Sequence, residues 1–239
     1  MMTAKKVFAR PITRSRLHEE ILTIIQKQIM DGTIPAGSKL PTEREMAQTF
    51  NVNRATVREA LSKLENLDLV EIRHGDGLYA KNYLESGNLD LIKAAFNIGD
   101  HKEIMSNILE ARRYIIPQVA YIAAQRRTAA DLKELKQVIS REDLNMLERD
   151  IKVHQIIARA THNLVCTIGL NYFNQIFHDY GYLYFDDKHN AERSRVFHRE
   201  IYEAIKNKKS VDARRIMRDV LIYAEDAVNA SLNNKQQKE

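Results

Sequence analysis

All four prolines of this 239-residue chain lie at or before position 117, and five of its eight glycines (32, 37, 75, 77 and 87) fall between positions 30 and 90. Proline removes a backbone donor and glycine opens left-handed turns, so these residues cut a chain into short pieces. The first 90 residues must therefore be assembled from short elements and tight turns. Beyond them the chain is free to run in long helices. The sequence shows no internal repeat.

Leu17, Ile21, Ile24, Ile25 and Ile29 recur at three- and four-residue steps, which predicts a helix from about Arg14 to Met30 with one buried stripe. Asp31-Gly32 ends it. Thr42 suits an N-cap and Glu45 would complete a capping box, starting a short helix that stops near Phe50. After the turn Asn51-Val52-Asn53, a third helix is expected from Arg54 to about Leu67, with Val57, Ala60, Leu61 and Leu64 inward. Leu69–Arg73 and Leu78–Ala80, around His74-Gly75-Asp76-Gly77, read as a hairpin.

Helix, short helix, turn, helix, hairpin is the order of a winged helix-turn-helix, here residues 1–81. Residues 82–88 (NYLESGN) read as a linker, 89–232 as six or seven helices and nothing else, and 233–239 as a polar tail. The expected fold is mainly α: an N-terminal winged helix-turn-helix with a small β-hairpin wing, then an all-α helical bundle that binds an effector and dimerises.

The formal charge of +5 permits nucleic acid as a partner without demonstrating it, and residues 1–82 hold 13 Lys/Arg against 10 Asp/Glu. A single cysteine, Cys166, excludes an intrachain disulfide and suits a reducing compartment; its apolar surroundings predict a buried, inert thiol. No apolar run approaches the ~18 residues that span a bilayer, and the basic start MMTAKKVFARPITRS has no apolar stretch behind it. A cytoplasmic protein without membrane attachment is the expectation.

In a helix-turn-helix the second helix enters the major groove and its first residues meet base edges. That end here reads Asn53-Arg54-Ala55-Thr56-Val57-Arg58. Arg54 and Arg58 lie one turn apart, and arginine bonds guanine O6 and N7 bidentately, while small Ala55 and Thr56 allow close approach. Arg44 opens the preceding helix, and His74 with Gly75 forms the hairpin tip. The bland alternative is a solvated face in which Arg54 and Arg58 pair with Glu59 or Glu65.

The stretch IMDGTIPAGSKLPTEREMAQTFNVNRATVREALSKLENLDLVEIRHGDGLYA resembles the DNA-binding domain of the GntR family of bacterial regulators, with Ala36-Gly37 where the family has Pro-Gly and Met46 for a leucine. The resemblance implies operator contacts from Arg44, Arg54, Thr56, Arg58, His74 and Gly75, on a palindromic double-stranded site bound by a homodimer. Residues 89–230 resemble the FCD-type effector domain of the FadR branch: ILEARRYIIPQVAYIAAQR carries the matching arginine, Arg112, while RDIKVHQIIARATHN and VFHREIYEAIKNKKSVDARRIM echo its Asp-x-x-x-His and His-x-x-Ile helices.

Asp150 and His154 are four residues apart and share a helix face, a spacing that suits two ligands on one ion. The resemblance adds His198 and implies a divalent metal such as zinc beneath a carboxylate effector. It also expects a fourth ligand where this chain has Val220, which leaves a three-residue site completed by water or the effector. The other reading is a polar contact between Asp150 and His154, with His198 an ordinary interior histidine. HDYGYLYFDDKHNAERSRVFH is similar instead to fatty-acid-responsive members that bind acyl-CoA without metal, with Tyr180 and Tyr184 as lining residues or as core aromatics.

These observations lead to a transcription regulator whose operator affinity responds to a small organic acid, or alternatively to long-chain acyl-CoA. No catalytic residue is assigned: the chain has no Gly-rich phosphate loop and no Gly-x-Ser-x-Gly. The rivals are a metal-dependent hydrolase fused to a DNA-binding domain, and an architectural DNA-binding protein without an effector.

Overall fold

The computed structural model describes residues 17–96, 98–99 and 101–236, so Arg14 and the N-terminal segment, and the last three residues of the tail, lie outside the described residues. The chain divides into two compact units, Met1–Gly99 and Asp100–Glu239.

The first unit opens with α1 (Leu17–Met30), α2 (Glu43–Thr49) and α3 (Arg54–Asn66), followed by β1 (Val70–Arg73) and β2 (Gly77–Ala80). The buried stripe of α1 is narrower than expected. Ile21, Ile25 and Ile29 reach the core, but Leu17 and Ile24 are exposed, because only the i, i+4, i+8 row faces α3. From α3, Val57, Ala60, Leu61 and Leu64 all reach the same core, together with Leu40, Met46, Leu69 and Val70. The Thr42–Glu45 capping box forms as the sequence requires: Thr42 Oγ1 accepts from Glu45 N at 3.3 Å, and Glu45 Oε2 accepts from Thr42 N at 2.8 Å.

The wing is an antiparallel pair in the register Val70↔Ala80, Glu71↔Tyr79, Ile72↔Leu78 and Arg73↔Gly77. Gly75, at φ +76°, takes the left-handed position that closes its three-residue loop. Lys39 bridges to the wing, donating to Asp76 Oδ1 at 3.0 Å, while the Tyr79 hydroxyl donates to Asp76 Oδ2 at 2.7 Å.

The stretch expected as a linker does not hang free. Asn82 caps α4 (Tyr83–Ser86), the Tyr83 hydroxyl donates to Met30 O at 3.3 Å, and Ser86 Oγ donates to Asp68 O at 2.8 Å. Leu91 of α5 (Leu89–Phe96) then joins the winged-domain core. Residues 82–96 are thereby stapled onto the first unit.

The second unit consists of α6 (His101–Arg126), α7 (Ala129–Ile139), α8 (Met146–Arg159), α9 (Leu164–Tyr180), α10 (Tyr182–Phe185), α11 (Lys188–Lys206) and α12 (Ser210–Gln236). The last helix extends through Asn233–Gln236, into the segment expected as tail. α6 and α12 lie against each other, and Ala120, Ala123 and Ala124 of α6 are fully buried in the core, small enough to let neighbouring backbones approach. Phe197, Ile201 and Ile205 of α11, Val153 and Ile157 of α8, and Met217 and Val220 of α12 complete that core.

Two local features depart from simple expectation. Pro117 is buried inside α6, where it has no N–H for the Arg113 carbonyl one turn back. Cys166 is half-buried rather than buried, because α9 begins on an open face where Leu164 and Val165 are exposed. Among the described residues no helix is long and apolar enough to cross a membrane.

Candidate functional site

The residues expected to contact DNA all lie on the first unit. Asn53 caps α3, its Oδ1 accepting from Thr56 N at 2.9 Å and from Thr56 Oγ1 at 3.2 Å. That bond fixes where α3 begins and hence where Arg54 and Arg58 project. Arg44 and Arg54 are exposed, and neither makes an ion pair among the described residues. His74 and Gly75 sit exposed at the wing tip.

Arg58 behaves differently. Its Nε and Nη2 grip Glu43 at 3.1 and 2.8 Å, a two-point pair from α3 to the start of α2. The hydrogen bond from Arg58 holds the Glu43 carboxyl below its usual range. The partner is thus Glu43, not Glu59 or Glu65. Fifteen positions separate the pair, so only the helix-turn-helix fold brings them together, and spacing along one helix gives no signal for Glu43.

The second unit buries a polar cluster between α6, α8, α9, α10 and α11. Asp150, His154 and His198 do converge: His198 Nε2 lies 2.9 Å from Asp150 Oδ1, and His154 Nε2 lies 3.6 Å from Asp150 Oδ2. The His154 ring stacks on Phe197 at 5.7 Å. Burial opposes ionisation of Asp150, but His154, the His198 bond and Arg112 outweigh it and hold the carboxyl below its ordinary value. Burial drives His154 the other way, down to about 4, so at neutral pH its ring is uncharged.

The three side chains face one another. Each oxygen of Asp150 faces one imidazole, and Val220, at the fourth position, is packed into the apolar core. Among the described residues no group of three or more His, Cys, Asp and Glu side chains is placed to hold a metal ion. The expected triad therefore comes together, and Val220 supplies no fourth ligand.

Arg112 is 3% exposed, and its guanidinium lies over the Phe177 ring at 4.2 Å. No carboxylate comes within ion-pairing distance of it among the described residues, and its Nε has no hydrogen-bond partner. Burial lowers its pKa to about 10, with Asp150 opposing at longer range. Among the other buried atoms without a partner are His154 Nδ1 and Asn174 Nδ2, while the Tyr184 hydroxyl lies beside Ser194. Tyr184 is 2% exposed, and burial raises its pKa. Tyr180 is half-buried at the end of α9, with Asp179 and Tyr182 as neighbours. Asn174 had no sequence signal, being one polar residue inside an otherwise apolar helix face.

Residues 17–79 match the family model "Bacterial regulatory proteins, gntR family", and residues 107–222 match the FCD domain. The chain belongs to the GntR family. Its relatives include an uncharacterized HTH-type transcriptional regulator of Mycobacterium tuberculosis, 30% identical over 177 residues, covering 72% of this chain and 71% of that protein. Another is the HTH-type transcriptional regulator LutR of Bacillus subtilis, 27% identical over 84% of this chain and 96% of LutR. A third is the fatty acid metabolism regulator protein of a Shewanella strain, 27% identical over 81% and 82% of the two chains. Against the regulator Mce2R of M. tuberculosis the match reaches 37% identity but spans only 54% of each chain. Among solved structures, Lar of Listeria monocytogenes, described as controlling expression of the agr system, shares the fold with a TM-score of 0.55 at 14% identity, over 90% and 98% of the chains. These relatives are named as regulators. The GntR winged domain followed by an FCD-type helical domain is therefore the architecture of this chain.

Proposed function

We propose that the protein is a cytoplasmic, homodimeric transcription regulator whose affinity for a palindromic operator is set by a small carboxylate bound in the helical unit. Arg44, Arg54, Thr56 and Arg58 read the major groove, and His74 with Gly75 reaches the adjacent groove. A winged domain alone covers a short site, and pairing on two half-sites supplies length and specificity.

The buried Arg112 carries the effector reading. A guanidinium removed from water with no carboxylate beside it is costly in the free protein and becomes favourable when an acid supplies the missing charge. The acyl-CoA alternative has the Shewanella fatty acid regulator behind it, but a buried guanidinium close to the Asp150, His154 and His198 triad favours a short polar ligand over a long chain. An ion is not required to hold the acid.

Operator release followed by fluorescence anisotropy tests this reading. Short organic acids should dissociate the complex, Arg112→Met should bind operator but ignore acid, and acyl-CoA affinity should not climb with chain length. Release that strengthens with each added methylene, and survives Arg112→Met, overturns it.

A further inference from the structure

Arg44, Arg54 and Arg58 are exposed on the elements expected to meet DNA, and one carboxylate, Glu43, lies among them: it precedes Arg44 in the chain, bonds Arg58 and feels the charge of Arg54. Negative charge on a face that approaches phosphates weakens binding. What Glu43 supplies in return is geometry. It is the first residue of α2, and the capping box of Thr42 and Glu45 fixes the backbone on either side of it. Arg58 is placed as firmly from the other direction. Val57 is fully buried, Leu61 joins the same core, and the Asn53 cap sets where α3 begins.

The pair between them closes over 15 positions at 3.1 and 2.8 Å, although 70% of the Arg58 side chain is exposed. An exposed arginine ordinarily keeps its rotamer freedom and gives it up on binding. Here the head group is already tied, and the edge by which it is tied decides what remains. Glu43 takes Nε–H and one hydrogen on Nη2. The second hydrogen on Nη2 and both on Nη1 stay free, so the terminal edge still offers two parallel donors. Guanine O6 and N7 accept such a pair in the major groove, whereas adenine sets a donor beside its N7.

We propose that Glu43 is a positioning residue for base recognition: it holds Arg58 by its side edge and presents the terminal edge to a guanine. The proposal rests on the reading that Arg58 faces a base, and adds how that preference is fixed before DNA arrives.

Selection of bound duplexes from a random-sequence library tests it, using the full-length protein and its variants, with anisotropy on the selected site and a scrambled one at fixed salt. Glu43→Gln removes a negative charge, so affinity for scrambled DNA should rise about two- to threefold. It also leaves a single acceptor for Arg58, so the preference for one guanine in each half-site should fall about tenfold while other positions hold. The two readouts move in opposite directions, which a loss of folding would not produce. Glu43→Asp keeps the charge but not the reach, and should lose the guanine without the gain on scrambled DNA. Arg58→Ala should erase the same position, and adding Glu43→Gln to it should change nothing more there. A guanine preference that survives Glu43→Gln, or an equal weakening on both DNAs, overturns the positioning role and leaves the base contact of Arg58 standing. A selected site unchanged by Arg58→Ala overturns both.

Discussion

Replacing Arg112 by methionine separates a structural residue from a ligand anchor, because the two roles predict opposite signs. The side chain is 3% exposed, and burial lowers its pKa from the ordinary arginine value to about 10. That depression corresponds to roughly 3 kcal/mol by which folding disfavours the charged form. Methionine keeps the length of the stem and removes the charge, but it loses the guanidinium's contact with the Phe177 ring, worth about 2 kcal/mol in a desolvated setting. The ligand-free variant should therefore be about 1 kcal/mol more stable than the unaltered protein, a rise of about 2–4 °C in the melting temperature. A cation depressed to about 10 stays protonated in both folded and unfolded chains at lower pH, and its cost is relieved only as pH passes that value. The gain should accordingly be constant from pH 6 to pH 9. Saturating acid should raise the unaltered protein by about 3 kcal/mol at a hundred times its Kd and leave the variant unmoved. Differential scanning calorimetry with and without acid measures both effects. A variant that melts several degrees lower, or that still responds to acid, refutes the assignment of Arg112 as an anchor waiting for its partner.

Three other outcomes are expected. Arg54→Ala should reduce discrimination between operator and random DNA by about 1–3 kcal/mol at fixed salt, measured by gel shift; an equal loss on both DNAs would make it a phosphate contact. Dialysis against EDTA should leave acid-induced operator release unchanged, and a release that disappears and returns with added zinc would restore the metal reading. Asn53→Ala should lower the unfolding free energy of the winged unit by about 1 kcal/mol through loss of the α3 cap, read from urea denaturation; an unchanged midpoint would show the cap to be idle.

What the sequence disclosed, and what it withheld, follows from the range of the interactions. The capping box of Thr42 and Glu45, the cap of Asn53 on α3 and the Gly75 turn are local, and a few neighbouring residues determine them. The winged order and the helical second unit were legible for the same reason. Glu43 was not, since it meets Arg58 only after two helices cross. Asn174 was not, because an amide inside a helix gives no sign of which atoms will surround it. The segment at 82–88 read as a linker from its composition, yet Tyr83 and Ser86 find carbonyls at Met30 and Asp68 that no short window contains. The contact between His198 and Asp150 was hidden for a similar reason: Asp150 and His154 share a face of α8 by their spacing, but what His198 meets depends on how α8 and α11 pack.

The proline inside α6 acquires a meaning from its position. Its missing amide leaves the Arg113 carbonyl without a rung in the helical ladder, immediately beside Arg112, the residue proposed to anchor the effector. Elsewhere in this 26-residue helix a change of axis must stretch backbone bonds. Here the bond is already absent, so a pull of an ångström on Arg112 can be taken up as rotation. On the proposed reading, α6 acts as two levers sharing a pivot, with the ligand at the fulcrum.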